Sequence, residues 1–354
     1  MRVSLELQPC CGNRSGIGIY TYEIAKRLCN TDNICFSGNI FNFLSRNNNS
    51  QIAQNMHFPV RTNSLVPYGL YRRSWNFLPL NYQIFFSESD LTHFFNYIVP
   101  PKVKGKVITT IYDMSYKFYP ETLDRSNYKR IAQDINYSIN RSDRIITISE
   151  NSKKEIVEEF NIPEQKVQIV YPSFDTIKSD QSFQQISEKY CMPSKYILYV
   201  GNLEPRKNIP TLISSFAALR REIGLDYHLV IAGQKGWLYD SIFKSVEELK
   251  ISENVTFTGY ISAEDKSALY MNASLFVYPS LYEGFGIPIL EAMSSGVPVV
   301  CSNTSSMPEV AGNAALLVDP HDSGAITEAM HKMLTSEDLR NEKVQLGYRQ
   351  AEKF

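Results

Sequence analysis

Residues 283–291 read EGFGIPILE, two glutamates with seven residues between them enclosing Gly284, Gly286 and Pro288. Proline suits the first turn of a helix, where backbone N–H groups have no intrahelical partner, and the run ILEAM continues helically. Glu283 therefore precedes a helix and Glu291 lies on it. The glycines let a ligand approach the backbone, and the free N–H groups, with roughly +0.5 charge at the helix start, favour a phosphate. The two carboxylates remain for hydroxyls, so a diphosphate flanked by two polyols, as in a nucleotide-sugar, suits the pattern. Taken alone, the pair also reads as two solvated glutamates beside a strand-to-helix turn.

Working outward, an apolar strand at 275–278 runs into Pro279 just before this segment. Another, at 196–200, ends at Gly201 and Asn202, which open GNLEPRKN, and Arg206 and Lys207 stand before a helix at 210–220. In open parallel sheets, ligands bind beyond the carboxyl ends of strands. A planar guanidinium and a compact ammonium at one such end suit a diphosphate, although a basic pair by itself also reads as solvated. A strand at 228–232 ends at Gly233. Upstream, strands are expected at 3–7, 107–111, 144–148 and 167–171, with a helix at 19–28. Alternating strands and helices of this kind predict parallel sheets covered by helices.

The chain of 354 residues is long enough for two domains of ~150 residues. Boundaries are expected at 1–172 and 195–354, with residues 173–194 as a polar linker. A loop is expected at the Asn-rich stretch 46–50. With 36 basic and 37 acidic residues, charge indicates no nucleic-acid partner. No leader is evident at the N-terminus, and no run reaches the ~18 apolar residues of a membrane span, so a cytoplasmic protein is expected. Six cysteines without metal-binding spacing fit reduced thiols, the histidines are scattered, and no DxD pair is present to hold a divalent ion, so no metal is expected. In RSGIGIYTYEIAKRL, Gly16 and Gly18 sit between a strand and a helix, as in a phosphate loop. Thr21 or Tyr22 stands where a third glycine belongs, which argues against a dinucleotide fold of the nicotinamide type.

These segments, with TIYDMSY (110–116), TISENSKKEI (147–156), YPSLYEGFGIPILEAMSSGVPVV (278–300) and SNTSSMPEVAGNAALLVDP (302–320), resemble the retaining glycosyltransferases of family 4, which have the GT-B fold. The resemblance covers nearly the whole chain and is to bacterial mannosyltransferase-like members. It implies an α/β protein with two Rossmann-like, doubly wound domains facing across a cleft, the C-terminal one holding the nucleotide-sugar. By the same resemblance Glu283 contacts donor-sugar hydroxyls, Glu291 the ribose, and Arg206 and Lys207, with backbone N–H groups around Phe285, Gly286 and Ile287, the departing diphosphate. Gly16 and Gly18 would lie near diphosphate and acceptor, and Ser305, Ser306 and Glu309 on the nucleotide side. The implied activity is metal-independent retaining transfer of a hexose, with mannose from GDP-mannose preferred, to a glycan or lipid-linked glycan in cell-surface polysaccharide synthesis. No cofactor is implied. A departing phosphate oxygen would take the acceptor's proton, so Glu283 is not assigned as nucleophile.

Two departures stand out. Many relatives have His-Asp where this chain has Tyr112-Asp113, and a phenol does not readily take a proton near neutral pH. Asp113 then becomes the better candidate at the donor sugar, with a capping or turn role as its alternative. The chain also stops at Phe354, about where many relatives continue into a helix that crosses back to the first domain, so looser domain closure is expected. The aromatic stretch 68–86, with Arg72 and Arg73, is expected to form a core element and acceptor wall, and peripheral contact with the inner face of the membrane is the competing reading. His93 and Asn96 read as acceptor contacts or as satisfied structural groups. Competing functions are a nucleotide-sugar 2-epimerase and a non-catalytic GT-B binding subunit.

Overall fold

The computed structural model describes residues 1–12, 16–45, 50–75, 77–174, 183–224 and 226–354. Arg14 and Ser15 of the first glycine segment, nearly all of the loop expected at 46–50, and much of the expected linker (175–182) lie outside the described residues. Contacts divide the chain into two compact units, Met1–Met114 with Ser126–Ser173, and Ser115–Arg125 with Phe174–Phe354.

The N-terminal unit has seven parallel strands: β1 (Arg2–Glu6), β2 (Cys35–Phe41), β3 (Val60–Asn63), β4 (Leu91–Phe94), β5 (Lys106–Thr110), β6 (Arg144–Thr147) and β7 (Val167–Ile169). Their spatial order is β3-β2-β1-β4-β5-β6-β7, so the chain reverses direction across the sheet between β1 and β4. Glu6 at the end of β1 is in register with Asn39 on one side and Phe94 on the other. The interior of this sheet is partly polar: Asn39 Nδ2 donates to Ser4 Oγ at 2.7 Å, and Ser142 Oγ to Thr109 Oγ1 at 2.8 Å. The stretch expected as a core element forms the helix Tyr68–Ser74 and a turn at Tyr82–Ile84. Tyr71, Tyr82, Phe85 and Phe86 gather around Phe41 of β2, with ring centroids 4.9–6.4 Å from it.

The C-terminal unit has six parallel strands: β8 (Tyr196–Val200), β9 (His228–Ala232), β10 (Val255–Gly259), β11 (Leu275–Tyr278), β12 (Val299–Ser302) and β13 (Ala315–Val318). The order β10-β9-β8-β11-β12-β13 repeats the same reversal, here between β8 and β11. Strands such as YILYV and LFVY are apolar and buried along almost their whole length because helices cover both faces of a parallel sheet. Close approach selects glycine at one strand end: a Cβ on Gly233 would lie 1.9 Å from Gly201 O. Residues 115–125, expected within the first domain, pack in this unit instead. The Phe118 and Tyr119 rings lie 6.3 and 5.7 Å from that of Tyr282, and Trp237 Nε1 donates to Thr122 O at 2.7 Å.

Strands 196–200, 228–232 and 275–278 match the sequence expectation residue for residue. In the first unit the strands expected at 3–7 and 107–111 begin and end one residue earlier. Gly16 and Gly18 require a larger correction. They occupy the first turn of the helix Gly16–Arg27 and do not form a loop before it. No glycine-specific backbone angle is needed at Gly16, and a Cβ there would meet open space.

Candidate active site

Two neighbouring strands of the second sheet, β8 and β11, deliver the two segments singled out in the sequence. After β8, Gly201 and Asn202 lead into a single turn of 3-10 helix, Pro205–Lys207, and Asn208 in the left-handed conformation then starts the helix Ile209–Ile223. Asn208 Nδ2 donates to Pro279 O at 3.1 Å and to Pro320 O at 2.7 Å, tying this turn to the end of β11.

The result is a buried charge cluster. Lys207 Nζ donates to Glu283 Oε1 at 2.7 Å and to Tyr278 Oη at 2.9 Å. Arg206 reaches Glu283 Oε2 and Glu204 Oε1, both at 3.0 Å. Glu204, Lys207 and Glu283 are each less than one-tenth exposed, so these pairs sit where Coulomb interactions are strong and desolvation is costly. Burial alone would raise the Glu283 pKa. The charges of Arg206 and Lys207 outweigh it and bring the carboxyl down to about 2, so Glu283 stays ionised. It is therefore built to accept hydrogen bonds, not to donate a proton.

The loop that follows Glu283 is held from beneath. Glu283 N donates to Ser305 Oγ at 2.9 Å, while Ser306 Oγ bonds to Glu283 O at 2.9 Å and Phe285 O at 2.7 Å. Ser306 is fully buried, so both serine hydroxyls face backbone of the loop; their expected place was the nucleotide side of the site. Gly286, with φ of 113°, caps the helix Ile287–Ser294, and Pro288 falls in its first turn as the sequence predicts. Among the described residues the N–H groups of Gly286 and Ile287 have no hydrogen-bond acceptor, which leaves donors at the helix start. Glu291 lies one turn further along. It is ion-paired to Lys266 and accepts from Tyr270 Oη at 3.0 Å, both carried by the helix Ala263–Met271.

The structure thus brings together Gly201, Asn202, Arg206, Lys207, Glu283, Gly284, Phe285, Gly286, Ile287 and Glu291 in one unit. Sequence reasoning missed Glu204, which lies inside GNLEPRKN but was not singled out there, and Lys266 and Tyr270, which lie in a helix outside the segments singled out and carry no local pattern. Gly16, Gly18, Tyr112 and Asp113 belong to the other unit. Tyr112 is not poised toward a ligand there: its hydroxyl donates to Phe95 O at 2.7 Å and its ring packs edge-on against Tyr20 at 5.4 Å. Burial raises its pKa well above the ordinary phenol value. Asp113 is partly buried just past the end of β5. His93 is a satisfied core group, stacked on Phe95 and hydrogen-bonded through Nε2 to Thr110 Oγ1 at 2.9 Å, and burial lowers its pKa to about 3.

Known proteins match the chain along nearly its whole length. The family model described as "Glycosyl transferases group 1" matches residues 181–350, and that described as "Glycosyltransferase Family 4" matches residues 14–178. The O-antigen chain mannosyltransferase B of Escherichia coli is 32% identical over 263 residues, covering 73% of this chain and 69% of that protein. The chain belongs to glycosyltransferase family 4.

The transferase is also 32% identical over 281 residues to the serotype-specific mannosyltransferase WbdA of Escherichia coli; these cover 77% of this chain but only 34% of WbdA. Among solved structures, that of Anabaena HepE in complex with UDP and glucose superposes with a TM-score of 0.73 at 16% identity, covering 100% of this chain and 95% of HepE. That likeness establishes the fold: the transferase is a GT-B protein with two Rossmann-like domains. Both of these Escherichia coli relatives are mannosyltransferases by name. Among the described residues no helix is long and apolar enough to cross a membrane.

Proposed function

We propose that the transferase moves a hexose, with mannose from GDP-mannose as the preferred donor, to a glycan or lipid-linked glycan with retention of configuration and without a metal. The observation that carries this reading is the cluster in which Arg206 and Lys207 clamp the ionised Glu283 beside the open N–H groups of the helix Ile287–Ser294. Two cations and two carboxylates, Glu204 and Glu283, balance one another in this cluster. A diphosphate arriving at the helix start would draw Arg206 and Lys207 toward its oxygens, and Glu283 would then turn its lone pairs to sugar hydroxyls. As the glycosidic bond breaks, charge grows on the diphosphate, where preorganised cations are most effective. A phosphate oxygen on the same face then takes the acceptor proton. Glu283, held ionised, is not a proton donor in this scheme. Glu291, already oriented by Lys266 and Tyr270, is the ribose contact, and Asp113 is the candidate near the sugar from the other unit.

Incubation with a panel of nucleotide-sugars in EDTA tests this reading. Acceptor-dependent release of nucleoside diphosphate is expected with at least one donor. Conversion of the donor sugar without acceptor would instead show an epimerase, and failure to bind any donor would remove both enzyme readings. Peripheral membrane contact is a further part of the proposal. Leu65, Leu70, Phe77, Leu78 and Ile84 are each at least 60% exposed along one stretch of the N-terminal unit, next to the exposed Arg73. The transferase is expected to float with anionic liposomes, and a protein that stays wholly in the soluble fraction would remove this part.

A further inference from the structure

Inside the C-terminal unit, four buried aromatic side chains form a continuous row. Tyr199 belongs to β8, Phe276 and Tyr278 to β11, and Tyr270 to the helix Ala263–Met271. Phe276 and Tyr278 are two apart on one strand, so they share a face of the sheet. The Tyr278 ring stacks on those of Tyr199 and Phe276 with centroids 6.0 and 5.7 Å apart, and Phe276 meets Tyr270 edge-on at 5.5 Å. All four are at most 1% exposed. We propose that Tyr278 and Tyr270 are positioning residues for transfer: Tyr278 holds the Lys207 ammonium toward the diphosphate, Tyr270 holds Glu291 toward the ribose, and the aromatic row fixes their spacing. The roles of diphosphate and ribose rest on the transferase reading above.

The hydroxyl contacts carry this assignment. Tyr278 Oη accepts from Lys207 Nζ at 2.9 Å, and Tyr270 Oη donates to Glu291 Oε2 at 3.0 Å. Tyr196 of the same sheet shows the ordinary alternative for a core tyrosine, since its hydroxyl bonds to a backbone carbonyl, Leu269 O, at 2.6 Å. Two members of the row instead meet a cation and a carboxylate of the candidate active site, and the rings between them are in unbroken contact.

A phenol suits the task beside Lys207. The ammonium has three N–H donors; Glu283 and Tyr278 take two, and among the described residues the third has no acceptor. A carboxylate attracts the ammonium by charge and so competes with an incoming diphosphate. A neutral phenol oxygen accepts a hydrogen bond without that competition, and Tyr278 can keep hold of Lys207 while the ammonium turns from Glu283 to the ligand. Tyr278 stays neutral because burial, with the charge of Glu283, raises its pKa well above the usual phenol value, and burial with Glu291 does the same for Tyr270. Packing on both rings leaves the hydroxyls little freedom, which is the preorganisation that charge stabilisation during transfer requires.

Steady-state kinetics of Tyr278→Phe and Tyr270→Phe, on the full chain with the best donor, tests the assignment. Each substitution removes one hydroxyl and keeps the ring, so the row stays packed. Lys207 acts as the bond to the diphosphate breaks, so Tyr278→Phe should lower kcat about tenfold with the donor KM little changed. Glu291 holds the ribose equally before and during the reaction, so Tyr270→Phe should raise the donor KM about tenfold with kcat little changed. A merely structural role would move both parameters alike in both variants; that result, or wild-type kinetics in both, overturns the proposal. In a Lys207→Ala background Tyr278→Phe should lower kcat no further, because it acts through that ammonium, and an additive loss overturns it as well. Absence of turnover with every nucleotide-sugar would defeat the donor reading, and the ligand-free protein then decides the contact by itself. In chemical denaturation the effects of Tyr278→Phe and Lys207→Met are expected to be non-additive, and additive effects overturn the positioning of Lys207.

Discussion

At the scale of single residues, the protein's chemistry lies in carboxyl groups that burial drives in opposite directions. Glu283 faces two cations and is held ionised, whereas Glu6 faces phenols and is held neutral. Replacing Lys207 by Ala should lower turnover by ~10²–10³, the scale seen when one donor to a developing anion is lost. Steady-state kinetics with the best donor checks this, and a change confined to the donor KM would remove Lys207 from leaving-group stabilisation. For Glu6 the raised pKa means that the folded state binds a proton that the unfolded state releases. Stability is therefore undiminished below about 4.5 and is lost as pH rises through about 8. Glu6→Gln should remove that cost, on the order of a few kcal/mol at neutral pH. Its thermal midpoint is expected to exceed that of the wild type clearly at pH 8 and little at pH 5.

At the scale of elements, glycine positions separate packing from ligand approach. A side chain at Gly233 would strike the carbonyl of Gly201 between β8 and β9. Gly233→Ala should cost about 2–3 kcal/mol in chemical denaturation because backbone cannot retreat as a flexible side chain can. Gly16 is the contrast, since it stands at the first turn of its helix with open space beside it. Gly16→Ala should leave stability unchanged or raise it by up to ~1 kcal/mol. A fall in transfer in that stable variant would mark Gly16 as a place of close ligand approach, and unchanged transfer would end that role. The elements also show what was readable locally. YILYV, HLVIA and LFVY are continuous apolar runs closed by Gly201, Gly233 and Pro279, so their bounds follow from the residues alone. The strands CFSGNIF and VRTN are polar and show no such run. They are strands because β1 and its neighbours provide hydrogen-bond partners and, for Asn39, a buried mate in Ser4.

At the scale of the whole molecule, the buried ionisable groups set a common pH response. The Glu283 pKa lies below its unfolded value, so its contribution is present above about 4.5 and is lost as pH falls toward 2. His93, neutral when folded, adds a loss that begins below about 6.5 and is complete near 3. Glu6 works in the opposite sense at higher pH. The transferase should therefore be most stable on the acid side of neutrality and unfold steeply below pH 4. Calorimetry of Glu283→Gln across pH 3–6 is expected to show a flatter acid limb than the wild type, and an unchanged limb would mean that the ion pairs of Glu283 do not govern acid stability.

The family, the two-unit α/β architecture and the segments EGFGIPILE and GNLEPRKN were determined by sequence alone. Apolar periodicity, chain-breaking residues and glycine-rich helix starts are local properties, and they survive in a linear string. Tertiary structure decided that Arg206 and Lys207 close on Glu283, that Glu204, Lys266 and Tyr270 complete the same site, and that residues 115–125 pack with the second unit. It also turned Tyr112 into its own core and set Glu6 beside Asn96 at the junction of β1 and β4. Each of these depends on groups distant in sequence becoming neighbours and leaving water together, and it is that shared desolvation which fixes their charge and their partners.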